Sequence, residues 1–90
     1  MLNETVKEIT VNISEDQTII ELSKMIQLYD SEIYLKKVIQ GSIIEINLKS
    51  FLGLINLRLG KGDSLTIRAV GEDSNDAVQK VAEYLTKGEQ

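Results

Sequence analysis

The residues of this chain that could carry out chemistry are few, and the clearest is a serine near the middle. Ser50 follows Lys49 and precedes an apolar run that predicts about two helical turns from Phe51 to Asn56. A serine oxygen at this place caps a helix, because it accepts a hydrogen bond from an unpaired backbone N–H. The same helix end would also accommodate a phosphate on that hydroxyl, since it offers N–H groups and a positive dipole.

Two residue types on which many catalytic sites depend are missing, because the 90 residues include no histidine and no cysteine. The commonest acid–base group is therefore absent, and so are a thiolate nucleophile, a disulfide and the usual zinc ligands. Serine, aspartate and glutamate are plentiful, yet the pattern shows no nucleophile–base pair. We expect no catalytic residue, no metal site and no cofactor, and we expect that the protein is not an enzyme.

Composition and charge exclude further classes of protein. Hydrophobic residues make up 42% of the chain and charged residues 27%, which is typical of a globular domain, and 90 residues predict one domain over 1–90. A net charge of −4 argues against direct nucleic-acid binding, which needs clustered positive charge. No apolar run reaches the length of a membrane span, and the first residues do not resemble a signal peptide. These features predict a soluble, cytoplasmic protein that does not bind membranes.

The first third of the chain predicts one strand and one helix. Alternating apolar residues indicate a half-buried strand over Val6 to Ile13. Ser14 and Gln17 have the spacing of a capping box, so we expect a helix from about Asp16 to Leu28, with Leu28 and Tyr29 closing its apolar face.

The rest of the chain predicts a hairpin, a strand and two helices. The hairpin covers Glu32 to Asn47 and turns at Gln40-Gly41, and after the short helix a strand follows over Ser64 to Val70. Ser74 is expected to cap a last helix. One face of that helix is apolar: Ala77, Val78, Val81, Ala82 and Leu85.

The predicted order is therefore β-α-β-β-α-β-α. This order favours the α+β class, with a four-stranded antiparallel sheet that helices cover on one face only. Such an arrangement is an open-faced β-sandwich.

Three segments, DSEIYL, INLKSFLG and LGKGDSLTIRAVGED, resemble the HPr family, the phosphocarrier proteins of the bacterial sugar phosphotransferase system. The element order agrees from end to end, and the match is strongest from about Asp30 to Leu85. The resemblance implies the HPr-like fold. The hairpin around Lys36 to Ile44 is a few residues longer than in the usual family member, and its edge could pair with another copy, so a homodimer is possible.

The first site that the resemblance implies is a histidine at the start of helix one. It accepts phosphate from enzyme I and passes it to enzyme IIA domains. Its position falls on Glu15, while the supporting arginine and proline fall on Gln17 and Thr18. The relay needs an imidazole nitrogen as nucleophile and leaving group. The site is therefore degenerate, and we expect no phosphorelay through it.

The second implied site is a serine that an ATP-dependent HPr kinase phosphorylates, and it aligns with Ser50. A histidine-less relative that keeps this serine is the catabolite-repression variant of the family, which the chain resembles. In the family the short helix contacts kinase, enzymes and regulators, and the corresponding partner-binding residues are Lys49, Phe51, Leu52, Leu54 and Ile55. We expect a regulatory or adaptor protein controlled by seryl phosphorylation at Ser50. The alternative is an unmodified interaction module that uses the same surface, with Ser50 only a helix cap.

Overall fold

The structure is a computed structural model that describes residues 3–13, 19–50 and 62–86. The predicted short helix from Phe51 to Asn56 lies outside these residues. No helix within them is long and apolar enough to cross a membrane. The elements are β1 (Glu4–Thr10), α1 (Ile19–Ile26), β2 (Glu32–Ile39), β3 (Ser42–Asn47), β4 (Ser64–Val70) and α2 (Ser74–Thr86).

The four strands form one antiparallel sheet in the order β1-β4-β2-β3. Apolar residues at alternate positions meet across the strands: Leu35 of β2 lies opposite Ile67 of β4 on one side and Ile46 of β3 on the other. This register places one apolar row of the sheet on a single face, because strand side chains alternate with a period of two. The predicted α+β class with a four-stranded antiparallel sheet is confirmed.

The core lies between that face of the sheet and the two helices. All five residues of the predicted apolar face of α2 are buried, as predicted. The opposite face of the sheet carries polar side chains, among them Tyr34 and Arg68, so the sandwich is open on that side. The largest fully buried side chains are Val11, Leu22, Ile26, Ser31, Ile33, Leu35, Leu48, Leu65, Ile67, Val81 and Leu85.

The first strand ends three residues earlier than the predicted end at Ile13. Beyond Thr10, the amide of Val11 donates to the carbonyl of Asp63 at 2.7 Å, and the amide of Asn12 donates to the carbonyl of Leu85 at 2.7 Å. Val11 nevertheless remains 1% exposed. The apolar alternation continues after the ladder stops, which is why the pattern predicts too long a strand.

Helix α1 ends at Ile26, and the predicted end at Leu28 is wrong. The amides of Leu28 and Tyr29 donate to the carbonyls of Met25 and Ile26, each at 3.2 Å. This tighter i−3 pattern turns Leu28 away from the core and leaves it 80% exposed, whereas Tyr29 packs against the core as predicted. The predicted start of this helix lies outside the described residues.

The hairpin turns at Gln40 and Gly41, as predicted. Their φ angles of 50° and 82° are those of a type I′ turn, which suits the twist of a two-residue hairpin. The β2–β4 ladder ends at the pair of Lys36 and Thr66, so the residues of β2 after Lys36 pair with β3 alone. The segment from 37 to 44 is therefore a two-stranded ribbon that extends beyond β4, and we call it the ribbon.

The N-cap of helix α2 lies one residue before the predicted cap. Its first intrahelical hydrogen bond runs from the amide of Ala77 to the carbonyl of Asp73 at 2.9 Å, which places Asp73 at the N-cap position. The prediction of Ser74 as the cap is therefore wrong. The Ser74 side chain instead lies buried in a hydrogen bond with Thr5 of β1, with 2.8 Å between the two oxygens.

Candidate functional site

Ser50 lies at the end of a turn that is stabilised by hydrogen bonds of the preceding residues. The amide of Leu48 donates to the carbonyl of Ile33 at 2.8 Å, and the Leu48 side chain is fully buried. The Asn47 side chain then accepts from the amide of Lys49 at 2.8 Å, while the Asn47 carbonyl accepts from the amide of Ser50 at 3.0 Å. This side chain-supported turn brings the chain out of the core and leaves Ser50 exposed.

Lys49 ties this turn to the end of α1. Its Nζ donates a hydrogen bond to the carbonyl of Tyr29 at 2.6 Å. Tyr29 follows the last turn of α1, where unpaired carbonyls and the negative end of the helix dipole favour a cation. The lysine therefore joins the turn that carries Ser50 to the end of α1.

The connector between α1 and β2, residues 27–31, is also bound by Asp73. The Asp73 carboxylate accepts from the amide of Asp30 at 2.8 Å and from the amide of Ser31 at 2.9 Å, and it also accepts from the Ser31 hydroxyl. Ser31 is 1% exposed, whereas Asp73 is half-buried and Asp30 is exposed. The Ser31 hydroxyl, foremost among these donors, lowers the pKa of Asp73.

Close packing at this connector depends on a glycine. Gly71 has a φ of 149°, and a Cβ built on it would lie 2.7 Å from the Cα of Ser31 and closer still to its hydroxyl. A side chain at Gly71 would therefore collide with backbone as well as strain its own. The sequence did not indicate this cluster, because its two halves, Ser31 and Asp73, lie 42 residues apart.

A second charged cluster lies on the open face of the sheet. The Arg68 guanidinium lies 4.4 Å from the centre of the Tyr34 ring and forms ion pairs with Glu4 at 3.1 Å and Glu45 at 3.4 Å. Hydrogen bonds to Glu45 and Glu4 raise the pKa of Arg68, and a hydrogen bond to Glu32 raises the pKa of Tyr34. These contacts join all four strands and have a structural role, since no nucleophile lies among them.

The predicted site residues are only partly within the described chain. Lys49 and Ser50 are adjacent at the turn, as described above. Within residues 3–13, 19–50 and 62–86, no three acidic residues come together as a metal site would require. The remaining predicted residues lie outside the described ranges: Glu15 and Gln17 of the degenerate site, and Phe51, Leu52, Leu54 and Ile55 of the partner-binding surface.

The geometry of the described part is that of a presented hydroxyl and not of a catalytic centre. Ser50 is exposed and its backbone is fixed, so a kinase could approach the hydroxyl without unfolding the core. The ammonium of the preceding residue, Lys49, is bonded to the carbonyl of Tyr29.

Comparison with known proteins gives one family model and two similar structures. Residues 7–87 match the family model PTS-HPr, described as the PTS HPr component phosphorylation site. The phosphocarrier protein HPr from Bacillus anthracis str. Ames superimposes with a TM-score of 0.76 at 24% identity, covering 92% of this chain and 98% of that one. HPr-C-His from Thermoanaerobacter tengcongensis gives a TM-score of 0.68 at 19% identity, covering 92% and 90%. At these identities the two structures support the fold, and the family model adds the family.

Proposed function

The chain belongs to the HPr family of the bacterial phosphotransferase system, and from that premise we propose that it is a regulatory member that has lost the phosphocarrier step. The observation that carries this proposal is the absence of any histidine from the 90 residues. A phosphocarrier of this family needs an imidazole that is nucleophilic near neutral pH and that also releases phosphate readily. No other side chain of the chain combines these properties.

The residues at the corresponding positions do not replace the relay. Glu15 could form an acyl phosphate in principle, but Gln17 provides no guanidinium to stabilise the transferring group. A carboxylate also imitates a phosphohistidine poorly, because it has one charge and two oxygens where a phosphoryl group has nearly two charges and three oxygens. We therefore assign no relay function to Glu15.

Regulation through Ser50 fits the geometry of the turn. Phosphorylation would add about 1.5 to 2 negative charges at a fixed, exposed position beside Lys49. The added charge would alter a neighbouring partner surface made of Lys49, Phe51, Leu52, Leu54 and Ile55. The modification would thus change partner choice while the core, to which the nearby Leu48 belongs, stays intact.

The partners that this function requires are proteins. An HPr kinase would phosphorylate Ser50, and a regulator or an enzyme of the phosphotransferase system would bind one of the two forms. The protein would therefore act in carbon catabolite repression in the bacterial cytoplasm, without itself contacting nucleic acid.

The proposal is tested by treating the chain with ATP and an HPr kinase from a Gram-positive bacterium. We expect intact-mass measurement to show one added phosphate, and we expect Ser50→Ala to abolish it. Ser42→Ala is the matched control, because Ser42 is also exposed and lies at the start of β3; this variant should accept one phosphate. Native protein that takes up no phosphate, or a Ser50→Ala variant that still takes it up, would contradict the regulatory role.

The alternative is an unmodified interaction module in which Ser50 is only a helix cap. Aspartate also caps helices, so under this alternative Ser50→Asp and the native chain bind partners equally, while Ser50→Ala costs about 0.5–2 kcal/mol of stability. Under the regulatory proposal, Ser50→Asp changes partner affinity although stability stays close to that of the native chain.

A further inference from the structure

Strand β3 lies at an edge of the sheet, and no strand in the described part of the chain pairs with its outer side. Its sequence, SIIEIN, contains no proline, glycine or lysine. Its register with β2 runs without interruption from the Asn47 pair to the Ser42 pair, so no bulge interrupts it. Prolines, charged side chains and bulges are the features with which proteins usually prevent edge strands from pairing, and β3 has no proline, no bulge and a single charged residue, Glu45.

The type I′ turn determines which backbone groups of β3 face outward. The two residues that flank such a turn, here Ile39 and Ser42, form a hydrogen-bonded pair, and pairs along the ladder then alternate. Ser42 and Ile44 therefore direct their N–H and C=O groups toward β2. Ile43, Glu45 and Asn47 direct theirs away from β2. The Asn47 carbonyl accepts from the amide of Ser50, which leaves Ile43 and Glu45 as the outward residues available to another strand within the described part of the chain.

The ribbon exposes apolar side chains on both of its faces. Val38 and Ile43 lie opposite each other on the open face of the sheet and are 63% and 67% exposed. Ile44 points to the other face and is 39% exposed. A two-stranded ribbon is marginally stable by itself, so a third strand would stabilise it by burying these side chains.

Local charge also favours an approach at this end of the molecule. Residues 36–45 contain two lysines and one glutamate, which sum to +1, whereas the whole chain carries −4. Two copies of this acidic protein therefore repel each other less at the ribbon than at an average surface. The other edge strand, β1, suits pairing less, because it carries Glu4, Lys7 and Glu8, and its Thr5 is hydrogen-bonded to Ser74 and Asn75 of α2.

We propose that β3 pairs antiparallel with β3 of a second copy and joins two four-stranded sheets into one. Ile44 faces Ile44 of the second copy, and Ile43 and Glu45 form hydrogen-bonded pairs with Glu45 and Ile43 of that copy. A two-fold arrangement centred on Glu45 would oppose two like charges, and one centred on Ile43 would use a single outward pair within the strand. The register centred on Ile44 does not place the two Glu45 side chains opposite each other, and it pairs Ile43 and Glu45 of each copy.

The proposal is tested by sedimentation velocity and by residue-resolved amide exchange between about 10 µM and about 1 mM, a range suited to a weak interface. We expect the mass to rise from 10.1 kDa toward twice that value. We expect the amides of Ile43 and Glu45 to become protected as dimer forms, because pairing with the second copy gives them acceptors. Ile44→Lys should lower the association constant at least about tenfold, since two lysines would then face each other.

Val6→Lys is the matched control, because Val6 is also apolar and 54% exposed but lies on β1. It should dimerise as the native chain does, and far-ultraviolet circular dichroism should show that both variants are folded. A chain that stays monomeric at about 1 mM overturns the proposal. So does a dimer that Val6→Lys disrupts and Ile44→Lys does not, or an edge that binds only an extended segment of another protein. None of these outcomes depends on Ser50.

Discussion

A single carboxylate, that of Asp73, joins the connector after α1 to the start of α2. It accepts hydrogen bonds from two amides and one hydroxyl of Asp30 and Ser31. The Ser31 hydroxyl and these amides lower its pKa, so the folded state binds a proton at Asp73 less readily than the unfolded state does. The stabilisation from Asp73 is therefore complete above the unfolded pKa of about 4 and is lost as the pH falls through the folded value.

We predict that Asp73→Asn reduces the free energy of unfolding by about 1.5–3 kcal/mol at pH 7, because the amide loses charged hydrogen bonds. The difference between native and variant should shrink as the pH falls below about 4, because the unfolded native chain then binds a proton at Asp73 that the folded state does not yet bind. Urea denaturation at both pH values measures it. Asp76→Asn is the control, since Asp76 is exposed in the first turn of α2 and should change stability by only about 0.5 kcal/mol. An equal loss in the two variants would show that the Asp73 bonds contribute little.

For single residues, the sequence gives predictions where the role depends on residues adjacent in sequence. Ser50 was predicted as a helix cap from its position before an apolar run, while its phosphorylation and the partner-binding role of Lys49 were predicted from the family resemblance. The described residues show Ser50 exposed after a turn, and these roles stay predictions. The bond from Lys49 to Tyr29, the Asp73 cluster and the true cap of α2 were not predicted. Each of them depends on a partner or a backbone geometry that distant segments supply, and no spacing rule contains that information.

At the scale of elements, periodicity predicted β4 and α2 well because each has one face in the core along its whole length. Strand β4 runs over the predicted residues, and the buried face of α2 is the predicted one. The predicted ends of β1 and α1 lie too far along the chain. After both elements, apolar residues continue where the regular hydrogen bonds have stopped. The amino-acid pattern alone does not distinguish apolar residues inside an element from those that follow it.

In our proposal, partner binding depends on the short helix that the sequence predicts after Ser50. We predict that Phe51→Glu or Leu54→Glu abolishes binding of a protein partner and destabilises the fold much less than Ile67→Glu does. Ile67 is fully buried in the centre of the sheet, where loss of a large apolar side chain alone costs roughly 2–5 kcal/mol. Thermal melting gives the stability comparison, and calorimetric titration with the partner gives the binding.

The same experiment separates a docking residue from a core residue. If Phe51→Glu unfolds the protein as severely as Ile67→Glu, the phenylalanine belongs to the core and the partner surface is smaller than we propose. Val81→Glu on α2 serves as a second core reference, because Val81 is also fully buried.

At the scale of the whole molecule, the order of elements was enough to predict the class and the open-faced sheet. Each strand and helix has one apolar face, and few arrangements bury all of these faces together. The strand order and the end of the β2–β4 ladder at Lys36 could not be predicted, because they depend on long-range register. The longer hairpin, and the possibility that its edge pairs with another copy, were expectations from the family resemblance. The register now defines which strand and which backbone groups carry the inference that two copies associate.

The central claim is that the chain, whose residues 7–87 match the HPr family model, lacks the phosphocarrier step. The most direct test is to incubate it with enzyme I and phosphoenolpyruvate and to measure acid-labile phosphate by intact mass. The Bacillus anthracis phosphocarrier HPr is the positive control. We predict that the control becomes labelled and that this chain takes up no phosphate, because it has no histidine. Stoichiometric labelling of this chain, at Glu15 or at any other residue, would contradict the account.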